Sequence, residues 1–177
     1  MRINGTQFHT IWVDPENDSI IKVIDQCKLP FEFRIAELKT CLDAFQAIQD
    51  MVVRGAPLIG VTGAYGIYLA LLNYKGTEWK KQLINEAVYL KSARPTAVNL
   101  PILLDEMVEN LSACSNNLDA VKMALTEANR LKLREIDWSD TIGNFGCTLI
   151  EKISKQKKGE PVNILTHCNA GWLACID

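Results

Sequence analysis

Apolar side chains recur along most of this chain with helical rather than strand periodicity. The N-terminus is the exception. His9 to Val13 and Ser19 to Ile24 alternate as strands do, and Asp14-Pro15-Glu16-Asn17 between them is turn chemistry, so an N-terminal hairpin is predicted. Leu38, Cys41, Leu42, Phe45, Ile48 and Val52 then fall on one stripe, which predicts a helix from about Glu37 to Val52. Arg54-Gly55-Ala56-Pro57 interrupts it and starts another, since proline suits a first helical turn where its missing N–H is not needed. From Gly55 to Tyr74 no residue is charged, a length that would cross a bilayer. Gly60, Gly63 and Gly66 recur in it at intervals of three, a spacing that lets another helix approach one face closely, so a buried helix of a soluble protein is the expectation.

Lys75-Gly76-Thr77 reads as a stop followed by a new cap, and Leu83, Ala87 and Leu90 mark a helix from Glu78 to about Ser92. Pro95 pushes Arg94 out of helical geometry, opening a loop over 94–99. A further helix starts near Pro101 and carries Leu104, Met107, Val108 and Leu111. Asn116 and Asn117 cap a long one with Val121, Ala124, Leu125, Ala128 and Leu131, and Ser139 or Asp140 is expected to cap a separate one with Ile142, Phe145, Leu149, Ile150 and Ile153. Lys155 to Pro161 is polar and reads as a linker. Val162 to Thr166 is a short apolar run of the kind found in buried parallel strands, running into His167-Cys168-Asn169-Ala170-Gly171. Small and polar residues after such a strand are typical of a ligand loop. A lone parallel strand has no partner, so this unit reads as unfinished.

Composition narrows the class. Of 177 residues, 48% are hydrophobic and 23% charged, which excludes intrinsic disorder. A net charge of -2 and a pI near 5.7 leave no basic footprint for nucleic acid. Mean hydropathy of +0.02 is high for a soluble chain, and the uncharged helix accounts for it. The six scattered cysteines form no CxxC pair and are expected as free thiols in a reducing, cytoplasmic setting. His9 and His167 are the only histidines, so no structural metal is expected. No apolar run follows Arg2, and no secretory leader is expected.

Cys168, in the loop after the strand and before a helix start, is either a reactive thiol or a small buried hydrophobe. His167 is expected to be a structural hydrogen-bonding residue, and no Cys–His dyad is expected from the pair, because adjacent side chains on an extended segment diverge. Arg54 precedes a helix start and could bind an anion there or form a surface salt bridge; Arg94 is a loop cation. The two together suggest a phosphorylated ligand. The glycine series lies within a helix at the wrong spacing for a dinucleotide fingerprint.

Four blocks resemble the N-terminal half of the methylthioribose-1-phosphate isomerase family: Val23-Ile24-Asp25-Gln26-Cys27-Lys28-Leu29-Pro30; Met51-Val52-Val53-Arg54-Gly55-Ala56-Pro57-Leu58-Ile59-Gly60, continuing to Ala64-Tyr65-Gly66; Ala93-Arg94-Pro95-Thr96-Ala97-Val98-Asn99-Leu100; and Leu165-Thr166-His167-Cys168-Asn169-Ala170-Gly171. The same superfamily includes ribose-1,5-bisphosphate isomerases and non-catalytic subunits of the initiation-factor exchange complex. The resemblance implies an α+β chain: a mostly helical N-terminal domain with a small β-hairpin over 1–155, then over 156–177 the first strand of a truncated Rossmann-like α/β domain. It implies an aldose–ketose isomerase acting on a phosphorylated pentose in methionine salvage, homodimeric, with no cofactor or metal and no nucleic-acid or membrane partner. It assigns Cys168 as catalytic and Arg54, Gly55, Ala56 and Arg94 as substrate-binding. The family carries threonine where this chain has Cys175, and its catalytic aspartate lies in the second half, so these 177 residues are expected to be inactive alone. The alternative is a sugar-phosphate-sensing or regulatory homologue. A thiol hydrolase pairing Cys168 with a distant base has only His9 to draw on.

Overall fold

The computed structural model of the chain describes residues 2–3 and 5–177. It is α+β and mostly helical. Two short strands, β1 (Arg2–Ile3) and β2 (Thr6–Gln7), pair at the N-terminus, ahead of an antiparallel sheet of β3 (Ile11–Asp14), β4 (Asn17–Ile24) and β5 (Ile35–Leu38) in that order. The hairpin thus forms as expected, in the register Ile11 to Val23 and Val13 to Ile21. β5 corrects the boundary of the next helix. Its residues Ile35 to Leu38 pair with Ile24 to Ile21, and α1 is confined to Cys41–Gln49. The overlooked signal is Thr40. Its hydroxyl accepts from Asp43 N–H while the Asp43 carboxylate accepts from Thr40 N–H, a reciprocal cap that starts the helix.

The uncharged stretch forms α2 (Ala56–Asn73), the hub of the domain, with fourteen consecutive residues from Leu58 to Leu71 buried. Long and apolar enough for a bilayer, it is instead enclosed by α1, α3 (Trp79–Lys91), α4 (Asn99–Ser112), α5 (Asn117–Lys157) and β4. Its glycines do not serve one neighbour as expected. Gly60 and Gly63 face Leu103 and Leu100 of α4, while Gly66 faces Ala44 of α1 and Leu90 of α3. At 100° per residue a spacing of three drifts around the helix, so the small residues divide between opposite partners.

Asn116 caps α5 through its side-chain oxygen, but a second cap at Ser139 or Asp140 does not occur; α5 is one helix of 41 residues. Ser139 donates to the Glu135 carbonyl and Asn144 to the Asp140 carboxylate, which keeps both would-be caps occupied within the helix. No proline lies between Asn117 and Lys157, so nothing removes a backbone donor. The helix also absorbs the start of the polar segment expected as a linker. Its inner seam is Ala120, Ala124, Ala128, Leu131 and Glu135. Burial, foremost, raises the pKa of the Glu135 carboxyl.

Beyond Ser139 the face of α5 carrying Ile142, Phe145, Leu149 and Ile153 is exposed. The run 162–166, expected as a buried strand, is also open, with Leu165 98% exposed. It has no strand partner among the described residues, and parallel pairing requires one. In the 177-residue chain these surfaces should drive self-association. Each large apolar side chain buried in such contacts contributes about 1.5–3 kcal/mol, so changing Ile142, Phe145 and Leu149 to lysine should weaken association more than about tenfold by light scattering. Unchanged particle size would place the contact elsewhere.

Candidate functional site

The loop between α1 and α2 is short and tightly held. Val53 N–H donates to Ala47 O at 3.1 Å and Val53 is buried, so the next residue, Arg54, is directed outward. Gly55 is the N-cap of α2, with φ 105° and ψ 135°. Only glycine takes that conformation without strain. A Cβ there would lie 2.3 Å from the Ala174 Cβ, because the short helix α6 (Trp172–Cys175) packs its backbone onto Gly55.

Arg54, Gly55 and Ala56 form one wall of a cleft of about 500 Å³. The α3–α4 loop, with Arg94, Thr96 and Val98, and Asn99 at the start of α4 form the second, and Cys168 with Asn169 the third. All five residues singled out from the sequence therefore line one cavity, although Arg54 and Cys168 are separated by most of the chain. His167, exposed beside Cys168, is not among the lining residues, and His9 sits 3.4 Å from the Asp177 carboxylate instead, so among the described residues neither histidine faces the Cys168 thiol across this cleft.

The cleft's electrostatics come from more than its arginines. Two helices, α2 and α4, begin at its wall, and neither has a side-chain cap on its N-terminus. Pro57 and Pro101 have no N–H and Leu100 N–H donates to the Ala97 carbonyl at 3.0 Å, so the first-turn donors left free are those of Ala56, Leu58 and Asn99, at the positive end of each helix dipole. Two uncapped helix starts and two guanidinium groups around one cavity form a setting for a multiply charged oxyanion. Sequence reasoning found the arginines and the α2 start, but missed the α4 start by placing that helix near Pro101. It also missed Asn169, whose side-chain amide donates to the Arg54 carbonyl at 3.1 Å and ties the cysteine loop to the arginine loop.

The Cys168 thiol is exposed, so it is not a small core residue. Its φ of 71° is left-handed, which a non-glycine residue adopts only where surrounding structure imposes it. Cys41 is the contrast: burial, and then Glu86, push its thiol pKa upward, suppressing the thiolate.

Asn169 also borders a second cavity, of about 350 Å³, whose other lining residues are Ile3, Ile24, Leu29, Phe33, Ala170, Trp172 and Leu173. None of these bears a charge. The loop that presents Cys168 thus separates a cationic cleft from an apolar one.

A model of the Initiation factor 2 subunit family matches residues 52–176. The chain is 46% identical over 178 residues to the methylthioribose-1-phosphate isomerase of Desulfatibacillum aliphaticivorans, covering all of this chain and 48% of that protein. It is 42% identical over 168 residues to the isomerase of the same name from Desulfosudis oleivorans, of which it covers 45%. The crystal structure of 5-methylthioribose 1-phosphate isomerase from Pyrococcus horikoshii OT3 superposes with a TM-score of 0.79 at 26% identity, over 96% of this chain and 46% of that one. The translation initiation factor eIF-2B delta subunit from A. fulgidus gives a TM-score of 0.68 at 32% identity, over 73% of this chain and 38% of that one. The chain therefore spans about half the length of the curated relatives it matches.

Proposed function

Since the chain belongs to the initiation factor 2 subunit family, we propose that it forms the N-terminal part of a methylthioribose-1-phosphate isomerase and supplies the phosphate-binding half of its site. The carrying observation is the pair of cavities that meet at Asn169, one cationic and one apolar. A pentose with a phosphate on C1 and a methylthio group on C5 has matching ends. The phosphate would take Arg54, Arg94 and the free N–H groups of Ala56, Leu58 and Asn99 at the starts of α2 and α4, and the thioether would lie against Phe33, Leu29 and Trp172. The sugar would then bridge the Cys168 loop. A bisphosphorylated pentose fits less well, because its second phosphate would enter a cavity lined without a cation.

In the reaction, the furanose opens and a hydrogen passes from C2 to C1 as the C2 hydroxyl becomes the ketone. No oxidant enters or leaves. Cys168 would stand beside the carbons that exchange hydrogen and stabilise the transition state. The group that assists from the other side, an aspartate by the resemblance, would come from the part of the relatives that this chain does not span, making the 177 residues inactive alone. In this reading residues 1–155 form the mainly helical domain and 156–177 open a Rossmann-like domain, the complete protein is a homodimer, and it works in the cytoplasm without a cofactor. Whole-chain identity of 46% is to an isomerase, whereas the likeness to the exchange-factor subunit covers 73% of the chain, so the regulatory alternative is the weaker one.

The test is turnover by the full-length protein of methylthioribose 1-phosphate against ribose 1,5-bisphosphate. Preference for the first supports the reading; no turnover of it overturns the assignment. Loss of one charged hydrogen-bond donor costs about 1.5–3 kcal/mol, so Arg94→Ala should raise KM by about ten- to a hundredfold. An unchanged KM would remove Arg94 from the phosphate site.

A further inference from the structure

The block Ile24-Asp25-Gln26-Cys27 has no part in either cavity's charged chemistry, yet it lies between the two loops that build the site. The Asp25 carboxylate accepts from Cys27 N–H at 3.0 Å, and Asp25 N–H donates to Arg34 O at 2.9 Å, so the turn after β4 is fixed locally. Gln26 then reaches in two directions. Its backbone N–H donates to the Val52 carbonyl at 3.0 Å, two residues before Arg54. Its side-chain Nε2 donates to the Leu173 carbonyl at 2.9 Å, five residues after Cys168. Gln26 is 6% exposed, and its Oε1 is buried with no partner among the described residues. A buried amide with one idle oxygen is costly relative to an apolar side chain of similar shape. The donor on the same amide is used, on the Leu173 carbonyl.

We infer that Gln26 is a positioning residue for Cys168, holding the cysteine loop at a fixed separation from the arginine loop by bonding Leu173 and Val52 at once. This rests on the proposed isomerase reading for its catalytic consequence. Gln26 acts alongside the Asn169 bond to Arg54 and the Gly55–Ala174 contact, and shares no residue with either. Those two fix one side of the loop. Without Gln26 the Leu173 carbonyl loses its side-chain donor, and the turn from 168 to 173 could pivot on the remaining contacts. Displacement of a reacting group by about 1 Å can cost on the order of a hundredfold in rate. The phosphate contacts lie on the arginine side and should be little affected.

The experiment uses the full-length protein with Gln26→Met, which keeps length and removes the donor, and Gln26→Leu, which removes it with a shorter side chain. Three quantities are read: kcat and KM for methylthioribose 1-phosphate, the dissociation constant of inorganic phosphate, and the alkylation rate of Cys168 by peptide mass spectrometry. The expected result is a fall in kcat of tenfold or more. KM and phosphate affinity should stay within about threefold, and the Cys168 alkylation rate should change at least threefold, while the exposed thiol of Cys147, far away on α5, reacts as before. Equal kcat and an unchanged Cys168 rate would overturn the inference. So would a uniform loss of kcat, phosphate affinity and thermal stability, or failure of both variants to fold, since either makes Gln26 a residue of the fold only. If the wild-type enzyme turns over no methylthioribose 1-phosphate, the isomerase reading fails, but the alkylation rates still decide whether Gln26 sets the loop.

Discussion

Full-length protein carrying Cys168→Ala is expected to lose about a hundred- to a thousandfold in kcat, the usual cost of removing one transition-state stabiliser. Its fold should survive. The side chain is exposed, so little packing is lost. The informative companion is Cys168→Gly. The left-handed φ of 71° costs a non-glycine residue about 1–2 kcal/mol, and glycine relieves it. That variant should therefore melt at the same temperature as wild type or higher while being equally inactive. Higher stability with lost turnover would show that strain at this position is retained for the site. Wild-type kcat in either variant would remove Cys168 from the mechanism.

Gly55→Ala should have the largest effect on stability. Two costs coincide. A left-handed φ of 105° strains an alanine by about 1–3 kcal/mol, and a Cβ 2.3 Å from that of Ala174 forces an overpacking shift worth about 1–3 kcal/mol more. The sum, about 2–6 kcal/mol, should appear as a lower denaturant midpoint with an unchanged slope. The two costs separate in a double variant. Gly55→Ala with Ala174→Gly removes one methyl from the clash but leaves the φ strain and the contact with the Ala174 Cα at 2.6 Å, so rescue should be partial. Additive losses would mean that the two loops do not meet there in solution.

Much of the domain was legible because helical periodicity survives averaging. Leu83, Ala87 and Leu90 mark α3, and Asn116 announces α5, because a stripe and a cap are local properties. The misreadings share a cause. Whether Ser139 ends a helix depends on whether its hydroxyl bonds forward to a free N–H or back to Glu135, and the sequence is the same in both cases. Leu38 and Phe45 lie on one helical stripe by spacing, although the first closes β5 and the second belongs to α1; only pairing with β4 separates them. At the site, Arg54, Gly55, Ala56, Arg94 and Cys168 were legible as motif residues. Their convergence was not, because it depends on α6 packing against Gly55. Gln26 and Asn169 act through amide contacts to carbonyls far along the chain, and no spacing rule reports such contacts.

Those contacts also have an order in time. Thr10 N–H donates to the Ile176 carbonyl, and Gln26 to that of Leu173, across 166 and 147 positions of sequence. At a synthesis rate of about 5–20 residues per second, the partner of Thr10 emerges roughly 8–30 s after it does. Helices α1 to α4 and the inner seam of α5, up to Glu135, are complete before then and can collapse around α2, as local contacts close fastest. The hairpin and its following turn must wait on the growing chain as a preformed receptor. On the ribosome, the cysteine loop is therefore expected to dock last, onto a core already in place.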